Sequence, residues 1–299
     1  MKILLTGGRG FIGSHLKPAF EGLGFEVVAP SERHLDLRDG EAVIAWVKQA
    51  QPQIVVHLAA RTEVALSFDN YADFQDVNYL GTVRLAEACM RHVPDFRQFV
   101  FASTMETYGF QESWVPFTEQ TPQCPMAPYA VAKFACERYL EYMRRAYVFP
   151  STIIRQTNAY GRTNSDFFVM ERIITQMLDG DCVRLGDPNP IRNFLFIDDL
   201  VSLYRTLVNN SAAIGKTYVT GPNNALPIRA LATLCGELLQ WSGTIEWYTI
   251  PHRPGEIYYL NSTSKKASAE LGWRPKVRLY DGIIMTAERI RAARKAQAA

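Results

Sequence analysis

The chain has 299 residues, 47% hydrophobic and 21% charged, with a net charge of +2. That is enough for a large core in one large or two modest domains, and it lacks the charge imbalance that marks a nucleic-acid or polyacidic partner. The five cysteines (Cys89, Cys124, Cys136, Cys182, Cys235) include no CxxC pair, so neither a disulfide framework nor a metal site is expected.

Their usage fits a reducing compartment, and a cytoplasmic location is expected. No apolar run approaches the roughly 18 residues of a membrane span, and a first strand at Lys2 leaves no room for a signal peptide.

In chain order, apolar runs alternate with helical patterns. KILLT is followed by a helix, FEVVAP by a helix near Glu41 to Gln49, and QIVVHLA by a long helix near Ala72 to Arg91. QFVFAS then leads to a helix after Pro128, and STIIR closes the series. Continuous apolar strands separated by helices predict parallel βαβ units covered on both faces. Residues 1–160 therefore read as a Rossmann-type doubly wound α/β domain. After Gly161 the alternation weakens, and residues 161–299 read mainly as a smaller α/β lobe that binds substrate, with some late segments free to return to the first domain.

In such a sheet, ligands bind beyond the carboxyl ends of the strands. The turn after the first strand, GGRGFIG, has Gly7 for a tight turn, Gly10 for close approach of backbone amides to a bound group, and Gly13 for helix packing. This is a phosphate cradle at a helix N-terminus, although glycines there can also serve packing alone. Ala59 and Ala60, after the third strand, leave space for a flat cofactor across the sheet.

Tyr129 and Lys133 stand at i and i+4, on one helix face. A nearby ammonium favours the ionised phenol, so Tyr129 can take a proton from a substrate hydroxyl while Thr104, at the end of the fourth strand, bonds the same oxygen. Such pairs are also common on solvated helix surfaces.

Taken together, TGGRGFIG, HLAA, NYLGT, STMETYG, YAVAK, RQTNAYG, RNFLFIDDL, RPGE and ELGWRP resemble the extended short-chain dehydrogenase/reductase family, in its nucleotide-sugar epimerase/dehydratase branch. They span nearly the whole chain. The resemblance implies catalytic roles for Thr104, Tyr129 and Lys133, and contacts from Phe11, Ile12, Leu37, Leu58 and Asn78 to the dinucleotide. It also implies that Asn158, Arg192 and Arg253 reach the diphosphate or sugar of a nucleotide-sugar substrate. Related 4,6-dehydratases carry an Asp-Glu pair after the Thr, where this chain has Met105 and Glu106. Glu106 can act as base at C5 once C4 is a ketone, or it can merely order its loop. Met105, placed among the substrate contacts, cannot donate a proton.

Cofactor choice is less plain. The second strand ends in Ser31, Glu32 and Arg33 rather than in an aspartate, and Arg9 lies in the glycine turn. Two arginines and a hydroxyl suit a 2'-phosphate, so NADP is slightly favoured over NAD, with Asp36 toward the adenine edge. An NADPH-dependent 4-keto-sugar reductase is the alternative to a cyclic epimerase or dehydratase. A homodimer is expected through the helix near Ala72 to Arg91 and the one carrying Tyr129, because Phe134, Cys136, Tyr139, Leu140, Met143 and Tyr147 spread apolar surface round the latter.

Overall fold

The computed structural model describes residues 1–163 and 165–298. Its centre is a six-stranded parallel sheet. The strands β1 (Lys2–Thr6), β2 (Glu26–Val28), β3 (Ile54–His57), β4 (Gln98–Thr104) and β5 (Ser151–Gln156) alternate with α1 (Phe11–Glu21), α2 (Gly40–Ala50), α3 (Tyr71–Phe74), α4 (Gly81–His92) and α5 (Pro128–Tyr147). Apart from the edge strand β2, these strands have almost no exposed side, as their unbroken apolar runs require: Ile3, Leu4, Leu5, Val55, Val56, Phe99 and Val100 are fully buried. β1 lies between β3 and the edge strand β2, so the order reverses between β1 and β3, which opens a crevice at their carboxyl ends.

The region expected as one long helix near Ala72 to Arg91 is helical from Tyr71 to His92, but Gln75–Leu80 is wound as a π-helix between α3 and α4. Propensity does not signal that extra residue per turn. It turns Asn78 inward, where the side chain is buried.

The later chain adds β6 (Asn158–Tyr160), α6 (Val169–Asp179), β7 (Cys182–Arg184), β8 (Ile191–Arg192), β9 (Phe194–Phe196) and α7 (Ile197–Leu207). After these come β10 (Thr217–Val219), β11 (Leu226–Pro227), α8 (Ile228–Leu239), β12 (Thr244–Glu246), β13 (Tyr259–Leu260), α9 (Lys265–Leu271) and α10 (Leu279–Ala298). Part of it returns to the first half. β10 pairs with β5 as the sixth strand, and Leu200, Leu203, Tyr204 and Leu207 of α7 share a core with Leu16, Phe20, Val100 and Ile154. The small sheets β11-β8-β13, β12-β7 and β6-β9 pack with α6, α8 and α10 around a separate core that includes Ile173, Val183, Phe196 and Leu231. Among the described residues no helix is long and apolar enough to cross a membrane.

Candidate active site

A cleft of about 560 Å³ lies over the carboxyl ends of the strands, within the usual range for a ligand site. Its first wall is the glycine turn. Gly7 has φ +68°, and a Cβ there would come within 2.8 Å of the Ala59 amide nitrogen; one on Gly13 would come within 2.3 Å of the Gly7 carbonyl. The turn and α1 therefore touch backbone to backbone. Gly10, the residue just before α1, supplies no side-chain cap, so first-turn amides beside Phe11 and Ile12 remain for an anionic ligand. Ala59, Ala60 and Leu58 line the cleft next to this turn.

At the far end the chain leaves β2 and turns at once: the His34 and Leu35 amides both donate to the Ser31 carbonyl, at 2.9 and 3.0 Å. The turn puts Ser31 and Glu32 along the cleft with Arg9, Asp36 and Leu37, and leaves Arg33 exposed and outside it. This corrects the expectation that Arg33 joins Arg9 on a ribose phosphate. Glu32 accepts from Arg61 Nη2 at 3.2 Å. Asp36 is gripped by Arg38 Nε and Nη2 at 3.0 and 2.8 Å, which holds its carboxyl below the usual range. Asn78 does not line the cleft either. It clamps the loop after β3, accepting from the Arg61 amide at 2.8 Å and donating to the Arg61 carbonyl at 3.0 Å.

The reacting end gathers Thr104, Glu106, Tyr129, Lys133 and Asn158. Thr104 caps a 3-10 turn, Met105–Tyr108, and its hydroxyl oxygen accepts from the Glu106 amide at 3.2 Å. With three residues per turn, Met105 and Tyr108 share one side; both are buried in an apolar cluster with Phe117 and Leu260. Met105 is thus a core residue, not the substrate contact expected, and the opposite side carries Glu106 into the cleft. One Glu106 oxygen lies 3.7 Å from Arg253 Nη2; the other is buried with no hydrogen-bond partner among the described residues.

Arg192 and Arg253 stand behind Glu106 rather than on the cleft lining. Glu256 binds both, accepting from Arg192 Nη2 at 2.8 Å and Arg253 Nε at 2.9 Å.

Lys133 donates to the Ala102 carbonyl at 2.8 Å and lies 4.7 Å from the Phe101 ring centroid. Burial brings its pKa down to about 8. Burial, followed by the charge of Glu106, raises the Tyr129 phenol above its ordinary value, while the Thr104 hydroxyl lowers it. The Lys133 ammonium is turned toward Ala102, and at Tyr129 burial and the Glu106 charge outweigh the Thr104 hydrogen bond.

The sequence profile of the NAD dependent epimerase/dehydratase family matches residues 3–221. The chain belongs to that family. The dTDP-glucose 4,6-dehydratase of Shigella flexneri is 30% identical over 96% of this chain and 92% of its own length. The Thermus thermophilus UDP-glucose 4-epimerase, solved with NAD, superposes with TM-score 0.89 at 27% identity, covering 98% of this chain and 100% of the other. The Thermotoga maritima UDP-glucose 4-epimerase, solved with UDP-glucose, gives TM-score 0.89 at 28% identity over 98% and 99%.

As an NAD-dependent epimerase/dehydratase, the chain has residues that suit the dinucleotide: an uncapped helix start for a diphosphate, small alanines, and a carboxylate at the β2 end. Sequence reasoning passed over Arg61, Arg162 and Phe168, which also line this cleft. Arg162 directly follows the RQTNAYG stretch, so a cation at the end of a strand-terminal motif was the available signal.

Proposed function

We propose that the protein is a nucleotide-sugar epimerase/dehydratase that works through transient oxidation at sugar C4, with Glu106 as the base at C5. The observation that carries this reading is the Glu106 carboxylate, one oxygen near Arg253 and the other buried and unpartnered, beside Tyr129 at the cleft's reacting end. When bound, NAD accepts and returns the C4 hydride. Tyr129 takes the C4 hydroxyl proton, Thr104 holds the same oxygen through the hydroxyl hydrogen that its bond to Glu106 leaves free, and Lys133 fixes the floor beneath them through Ala102. The C4 ketone would acidify C5, so that Glu106 would take the C5 proton and, as the carboxylic acid so formed, give a proton back to C5 before the hydride returns to C4. Arg192 and Arg253, aligned by Glu256, supply planar donors for the substrate diphosphate, with Asn158 beside them.

With Met105 in the core at the position directly before Glu106, that position offers no acid for expulsion of a C6 hydroxyl, which favours epimerisation over ordinary 4,6-dehydration. Incubation with NAD and UDP- or dTDP-glucose in deuterated water tests the reading: deuterium at C5 is expected from the native protein and not from Glu106→Gln. Turnover with no C5 exchange would remove Glu106 as the base.

Glu32 favours NAD over NADP, because its carboxylate suits ribose hydroxyls and repels a 2'-phosphate; this also disfavours the reductase alternative. We further propose that residues 161–299, apart from α7 and β10, form mainly the substrate lobe, that the enzyme is cytoplasmic, and that it is a homodimer through α4 and α5.

A further inference from the structure

Arg162 comes from beyond β6, yet it lines the same cleft as the glycine turn. Its guanidinium lies between two aromatic rings, 4.1 Å from the centroid of Phe11 and 3.7 Å from that of Phe168. Nη1 donates to the Ala159 carbonyl at 2.6 Å and to Glu171 Oε1 at 3.2 Å. The same carboxylate oxygen also accepts from the Gly161 and Arg162 amides, at 3.0 and 3.1 Å. Glu171 Oε1 is therefore shared among three N–H groups, its Oε2 is buried with no hydrogen-bond partner among the described residues, and it engages only one of the three guanidinium nitrogens. Nε and Nη2 make no hydrogen bond among the described residues. Phe11 is the first residue of α1, the helix that starts without a side-chain cap and leaves its first amides for an anion.

We propose that Arg162 is a diphosphate-contacting residue for the dinucleotide, reaching from the second half of the chain to close the glycine turn from above; this rests on the dinucleotide reading of the cleft. Stacking between two rings immobilises a long side chain in advance, so little rotamer freedom is lost when its remaining donors meet phosphate oxygens. The glycine turn is neutral apart from Arg9, which is exposed. Arg162 supplies the largely buried cation that a diphosphate dianion needs. Because it is anchored to Glu171 of α6 and flanked by Phe168, the same contact ties the second half of the chain to the bound dinucleotide.

The test compares a ligand that carries the diphosphate and its second ribose with one that carries neither. Calorimetric titration of the native protein and of Arg162→Met with ADP-ribose and with adenosine is expected to show ADP-ribose affinity falling about tenfold or more. Adenosine affinity should stay within about twofold, and the salt dependence of ADP-ribose binding should be reduced. Where Arg162→Met does not fold, Arg162→Gln keeps a polar partner for Ala159 and Glu171 and is read in the same way. Equal loss for adenosine, or no loss for ADP-ribose, overturns the inference. In parallel titrations with UDP and dTDP, a loss confined to those two ligands also overturns it, since that would assign Arg162 to the substrate. Failure of the native protein to bind ADP-ribose at all overturns the dinucleotide reading, and this inference with it.

Discussion

Tyr129, Glu32 and His57 each carry a consequence that a single substitution exposes. Tyr129→Phe removes the proton acceptor and leaves the glycine turn untouched. Turnover is expected to fall roughly 100-fold or more with NAD affinity unchanged, measured by steady-state kinetics beside fluorescence titration. Glu32→Ala is expected to narrow the preference for NAD over NADP by about tenfold, one charge-assisted contact, whereas Arg33→Ala leaves both affinities as they were.

His57 is buried between Thr6 and Thr82, with its ring nitrogens 2.6 and 3.0 Å from their hydroxyls. Thr82 donates to the Asn78 carbonyl, so it accepts from Nε2–H, and Nδ1 accepts from Thr6. Burial pushes the His57 pKa from 6.5 down to about 3. Between those values the unfolded chain binds the proton and the folded one does not, so stability is full above pH 6.5 and declines as pH falls. The slope from this residue is about 1.4 kcal/mol per unit. Urea midpoints at pH 7 and pH 5 check it: His57→Gln should be less stable at pH 7 yet lose less between the two.

At the scale of elements, α1 tolerates no side chain at its third residue. Gly13→Ala would set a Cβ 2.3 Å from the Gly7 carbonyl, costing about 1–3 kcal/mol of stability and weakening dinucleotide binding. Thermal melting together with NAD titration reads both.

This turn was legible in the sequence because its geometry is local: three glycines at fixed spacing between a strand and a helix dictate the contact. Tyr129 and Lys133 were legible for the same reason, four residues apart at the start of α5. Arg33 was not, because the side of the chain that faces the cleft is decided by the turn from Ser31 to Leu35, a matter of two amides meeting one carbonyl. Met105 was misplaced by the 3-10 winding after Thr104, and Asn78 by the π-helical stretch. In both cases the number of residues per turn depends on tertiary packing, which local pattern does not report. Arg192 and Arg253 meet through Glu256, 64 and 3 residues away in sequence, a convergence that only the folded chain reveals.

For the whole molecule, the outer face of α5 argues for association. Cys136, Leu140 and Met143 proved to be fully buried against the sheet, so the apolar surface left over is narrower than the sequence suggested. Val131, Tyr142 and Tyr147 are nonetheless exposed, with Phe134 and Tyr139 half-buried beside them. A two-fold axis along this helix would cover them. Light scattering at micromolar concentration is expected to give twice the chain mass of 33.8 kDa, and Tyr142→Glu to shift it toward that mass; a monomer before substitution would refute the pairing.

The return of β10 to the central sheet has a consequence for synthesis. Ile154 and Val100 share their core with Leu203, Leu207 and Tyr218, so when Gln156 leaves the ribosome the nascent sheet has a bare edge and an uncovered oily face. The strand that seals it begins at Thr217, about 60 residues later, which at roughly 5–20 residues per second is a wait of several seconds. Over that interval the incomplete sheet exposes apolar surface of the kind chaperones bind, and a chain ending before Thr217 is expected to aggregate rather than to fold as a separate nucleotide-binding module.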